Sequence, residues 1–132
     1  MMTRAQVDFL WQFFVTAHIA VFALVFIYDE AIDKLNGIAR SMALAGVALF
    51  EWINGNALIN TYLLLDAMLD QYRATFGAAE RFRPAFYERF VLSSFSDRPE
   101  MVYITHGLAL TVVCLAFLSR TFVQARRRRD QQ

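Results

Sequence analysis

Apolar residues in this chain fall into long blocks separated by short polar stretches. Residues 9–28, FLWQFFVTAHIAVFALVFIY, contain no formal charge. At about 1.5 Å per residue, a helix of that length crosses the roughly 30 Å hydrocarbon core of a bilayer. Residues 101–119, MVYITHGLALTVVCLAFLS, form a second charge-free block that closes at Arg120, so a second span is expected over 101–120. The first block is longer than the apolar region of a signal peptide. No small-x-small cleavage site follows it, only Asp29-Glu30-Ala31-Ile32-Asp33. It therefore reads as a retained transmembrane helix.

Local signals mark where helices begin. Thr3-x-x-Gln6 fits a capping box ahead of the first block. Ser96-Asp97-Arg98-Pro99-Glu100 offers a cap, a proline suited to a first turn and an acid at the positive end of the helix dipole.

The middle of the chain has two readings. Residues 41–69, SMALAGVALFEWINGNALINTYLLLDAML, would make a helix of about 43 Å, longer than the hydrocarbon is thick. In one reading a single helix crosses the membrane over 41–65 and its last turns stand outside. In the other the chain breaks at Asn54-Gly55-Asn56, a turn signal, and re-enters as two half-helices. The polar connection, residues 70–100, has Phe82, Phe86 and Phe90 at four-residue spacing between charges. That spacing suits a short helix lying in the lipid interface or packed on a partner protein. The fold expected is thus an all-α integral membrane protein. It has about three transmembrane helices, a middle one that is long or broken, and a short interfacial helix before the last. The whole of 1–132 forms one membrane-embedded domain, ending in a basic tail over 120–132.

Composition agrees with this pattern. Hydrophobic residues are 58% and charged residues 19% of the 132, whereas soluble domains carry about 45–50% and about 25%. A net charge of +1 excludes a whole-chain electrostatic case for nucleic-acid binding. The single cysteine, Cys114, rules out an internal disulfide and a cysteine-based zinc site. It reads as a small packing residue.

Cationic residues set orientation. Arg126, Arg127, Arg128 and Arg129 are the densest cluster and argue for a cytoplasmic C-terminus in a bacterial inner membrane. They act as a topology anchor or bind anionic lipid headgroups. Three crossings would leave six basic residues on one side and seven on the other, so the local density of the tail decides rather than the sum.

Chemistry-bearing residues inside the apolar blocks are few. His18 and His106 lie in different blocks at comparable depth. They are candidate axial ligands for haem or a pigment, with small residues such as Ala17, Ala20, Gly107 and Ala109 nearby. The plainer alternative is a neutral imidazole hydrogen-bonded to a neighbouring helix. Glu51 is the one carboxylate well inside the middle block. It is expected at the headgroup level beside Trp52 or at a subunit contact; otherwise it relays protons or holds a cation with Asn54 or Asn56. Asn56 and Asn60 share a helix face and suit helix–helix contact. Ser41, Ala45 and Ala48, with Gly46 beside them, let another helix approach closely.

No Walker loop, GxSxG elbow, HExxH or CxxC motif is present, and no catalytic activity or metal site is expected. The expected function is a small accessory subunit of a larger membrane complex, redox or photosynthetic. It would stabilise helix packing and the lipid or quinone surroundings, with other membrane subunits and lipids as partners. One alternative is a homo-oligomeric channel or transporter using Glu51, Asn54, Asn56 and Asn60. Another is a haem- or pigment-binding electron-transfer subunit using His18 and His106.

Overall fold

The computed structural model describes the backbone of residues 2–27, 34–77, 80 and 82–129. Among these there is no strand. Helix α1 is Met2–Phe26 and α2 is Gly37–Phe76. A single turn, α3 (Pro84–Phe86), runs into a π-helical turn, Tyr87–Val91, and α4 is Arg98–Arg129. Three of these helices, α1, α2 and α4, are long and apolar enough to cross a membrane.

Helix starts follow side-chain chemistry where a cap exists. The Asn36 side chain accepts a 2.8 Å hydrogen bond from the Ala39 N–H and so caps α2, whose first residue, Gly37, is four residues before the start expected at Ser41. At the other end the Gly77 N–H donates to the Arg73 carbonyl at 2.9 Å. A β-carbon at Gly77 would collide with that carbonyl, so the turn requires glycine. The polar lead into α4 behaves as its sequence implies, with Pro99 in the first turn and Met101 N–H donating to Asp97 O. Helix α1 already runs from Met2, so Thr3 is within it, and the side chain of the Thr3 capping box lies outside the described residues.

Helix α2 is one continuous helix of 40 residues, about 60 Å long. It does not break at Asn54-Gly55-Asn56. Each residue of that turn signal has another role. Asn54 bonds across to both neighbouring helices, and Asn56 donates its amide to the Trp52 carbonyl one turn back at 2.8 Å. Gly55 leaves room for the His106 ring. Tertiary contacts override the local turn preference.

Helices α1 and α4 both run antiparallel to α2. At one end Val7 of α1 and Val102 of α4 join Leu58, Ile59 and Tyr62 of α2. At the other, Val25 of α1 and Val113 and Phe117 of α4 pack with Ala43, Leu44 and Val47. Leu58 and Val113 are fully buried. Large apolar side chains such as Phe9, Ile19, Trp52, Tyr103 and Leu108 point outward. An apolar interior and an apolar exterior together suit a lipid solvent.

Beyond this bundle α2 continues as a stem that anchors the polar connection. Asp66 accepts from the Phe95 N–H at 2.8 Å and from the Ser94 hydroxyl at 3.3 Å. Arg73 pairs with Asp70 at 2.6 Å and donates to the carbonyls of Val91 and Ser93. The predicted phenylalanine stripe is real. Phe82 stacks on Phe86 at 5.6 Å, and Phe86 on Phe90 at 5.2 Å, with Phe86 and Phe90 exposed. The helix that carries it is shorter than its spacing suggests, only the α turn plus the π turn.

Asp66→Ala removes the acceptor that holds the start of α4 to the stem. A hydrogen bond to a charged group is worth about 1.5–3 kcal/mol, so amide exchange at Phe95 should speed up by about tenfold or more. Unchanged exchange at Phe95 would show that the stem does not hold this segment.

Candidate functional site

Between the two apolar layers lies a polar one, built from His18 on α1, Glu51 and Asn54 on α2, and His106 on α4. All four are buried; Glu51 is 5% exposed and Asn54 4%. On α2, Glu51, Asn54, Gly55 and Leu58 fall at helical spacing on the face that both flanking helices cover. Helix geometry thus turns the carboxylate and the amide inward together.

Each imidazole is oriented by its own helix. His18 Nδ1 lies 2.8 Å from the Phe14 carbonyl and His106 Nδ1 lies 3.0 Å from the Val102 carbonyl. A carbonyl only accepts, so both Nδ1 atoms carry the proton. The Nε2 atoms are then left for contacts between helices. His18 Nε2 stands 2.6 Å from Glu51 Oε1. The imidazole and the carboxyl are thus a close, buried pair. His106 Nε2 stands 3.0 Å from Asn54 Oδ1. The Asn54 amide nitrogen donates to the Leu10 carbonyl at 3.3 Å, which fixes the amide's orientation. His106 is thus engaged at both ring nitrogens, and Glu51 Oε2 lies 3.9 Å from its Nε2.

The arrangement ties all three helices. Glu51 links α2 to α1, and Asn54 links α2 to both α1 and α4. Chemically, the layer gathers a carboxyl, an amide and two imidazoles within apolar surroundings.

Packing around the layer is aromatic and close. The Phe14 ring lies between the histidines, its centroid 4.2 Å from that of His18 and 4.3 Å from that of His106. A β-carbon on Gly55 would come within 3.3 Å of the His106 ring. Trp11 lies 5.9 Å from His106 and donates its indole N–H to the Tyr62 hydroxyl at 3.0 Å.

The residues singled out in the sequence divide in two. His18, His106, Glu51 and Asn54 come together. Asn56 is half-buried and Asn60 exposed on other faces of α2, so the four polar residues do not line one common surface. Glu51 does not accompany Trp52, which is 68% exposed on a different face of the helix. The Nε2 atoms of His18 and His106, the candidate axial ligands, stand beside Glu51 and Asn54 respectively, and the Phe14 ring is close to both imidazoles. Among the described residues no group of three or more His, Cys, Asp or Glu is spaced to hold a metal ion. The side chains of Arg126, Arg127, Arg128 and Arg129 lie outside the described residues. Sequence reasoning missed Phe14, Gly55 and Trp11. Only the register between helices brings them to the site.

Asn54→Leu should lower stability in bicelles by about 1–2 kcal/mol, the upper range for hydrogen bonds between membrane helices. Asn60→Leu should leave stability unchanged. Combining Asn54→Leu with His106→Leu should lower it by less than the two single losses together, because both remove the same bond. Additive losses in unfolding measurements would contradict the link. Comparison of this chain with known protein families, curated proteins and solved structures finds no match, so its functional reading rests on the geometry alone.

Proposed function

We propose that this chain is a small structural subunit of a larger membrane assembly. It presents the outward face of α2 to a helix of a neighbouring protein. The observation that carries this reading is Asn60. It is exposed, lies level with the apolar layer around Leu58 and Ile59, and its side chain makes no hydrogen bond among the described residues. In hydrocarbon an amide without partners is unfavourable, by about 1–3 kcal/mol on mutational data. A polar group on a partner helix would satisfy it.

Supporting features lie on the same side of α2. Ser41 and Ala45, at spacings that continue to Asn56 and Asn60, are exposed, and with Gly37 they line a shallow groove of about 570 Å³. Small residues there let a second helix backbone come close. The chain's own helices use the opposite side, packing on Ala43, Leu44 and Val47. The density of arginines in the tail supports the remaining part of the proposal, a bacterial inner membrane with the C-terminus in the cytoplasm.

Extraction of native membranes in mild detergent, followed by native mass spectrometry, tests the reading. Wild-type chain should run in a heteromeric particle. Asn60→Leu combined with Ala45→Ile should release it, whereas Leu108→Val on the exposed face of α4 should not. A wild-type chain that runs free, or only with copies of itself, would contradict the proposal.

A further inference from the structure

A second opening lies away from the docking face, at the seam of α1 and α2. It is a groove of about 260 Å³ walled by Ala17, Val21, Ala43 and Gly46, and His18 and Glu51 lie at its inner end. Small side chains on both helices make the opening. Gly46 does not serve packing within the chain, because a β-carbon there would meet nothing within 4 Å. Gly55 contrasts with it, since a β-carbon there would press on His106. Glycine weakens a helix relative to alanine, and at Gly46 what it provides is open space beside the polar layer.

The inner end of the groove has unused hydrogen-bonding capacity. Both carboxyl oxygens of Glu51 are buried and accept no hydrogen bond among the described residues; Oε1 stands 2.6 Å from His18 Nε2, and Oε2 stands 3.9 Å from His106 Nε2, which Asn54 engages. A buried carboxylate oxygen in this state lacks a donor. The groove opens at the depth of the polar layer, between two helices apolar enough to span a membrane, so a ligand would enter from the lipid. It needs an apolar body to cover Ala17, Ala43 and Gly46 and a hydroxyl to donate to the carboxylate.

We propose that this groove binds the head of a lipid-soluble quinol, with a ring hydroxyl donating to Glu51. The volume lies just under the roughly 300 Å³ low end of small-molecule pockets. It therefore suits one substituted ring, with the tail left in the bilayer. The proposal does not depend on the docking face of α2, which lies on another side of the helix.

The full chain in nanodiscs, labelled with 15N-histidine, would be titrated with a decyl-substituted benzoquinol under anaerobic reducing conditions. The His18 Nε2 signal should shift saturably. Decylbenzene, which has the ring and tail but no hydroxyl, should give no saturable shift. Gly46→Leu should weaken quinol binding by about tenfold or more while keeping the histidine signals of the free protein, since a side chain there meets only open space. Glu51→Gln should weaken binding by about tenfold, the loss expected for a hydrogen bond to a charged group. Absence of saturation with the quinol would overturn the proposal. So would saturation by decylbenzene at the same concentration, which would mean that the groove takes any chain, or wild-type binding by Gly46→Leu.

Discussion

The short contact between His18 and Glu51 constrains much of the molecule. A carboxyl and an imidazole placed among apolar side chains are unfavourable unless each answers the other. Meeting at 2.6 Å, they fix the level at which α1 lies on α2. Asn54 then sets the level of α4 through His106. The apolar layers on either side can slide with little change in energy, because lipid tails are as apolar as leucine. The polar layer cannot slide by one turn without separating Glu51 from His18 and Asn54 from His106. Register is thus a property of four side chains, and cohesion a property of the rest.

This division accounts for the unbroken course of α2. A free peptide with Asn-Gly-Asn in its centre would favour a turn. In the bundle, breaking the helix there would separate Glu51 from Asn54 and undo both links between helices. Gly55 allows the His106 ring to approach, and its conformational freedom is not used. The same glycine that reads as a breaker in isolation acts as a spacer between helices.

The spans and the polar connection were legible in the sequence because water-exposed helices rarely go twenty residues without a charge, while a bilayer demands it. The residues of the polar layer were legible too, since ionisable groups are rare at that depth. Their pairing was not. His18 and His106 invite a match to each other by type, and Glu51 invites a match to Trp52 by adjacency. The actual partners are set by antiparallel register, which a residue-by-residue pattern does not encode. The roles of Arg73 and Asp66 were hidden for a related reason. Both serve backbone groups of the polar connection, and backbone groups carry no sequence signature. The outward asymmetry of α2, with Ser41, Ala45 and Asn60 exposed, becomes visible only once its other side is seen to be occupied.

Dipolar recoupling between Glu51 Cδ and His18 Nε2, measured by solid-state NMR on 13C,15N-labelled protein in lipid bilayers, tests the central contact most directly. A nitrogen 2.6 Å from a carboxyl oxygen should give strong coupling, with an Nδ1-protonated His18. Absence of detectable coupling in folded protein would show that α1 and α2 meet in another register and that the polar layer does not organise the bundle.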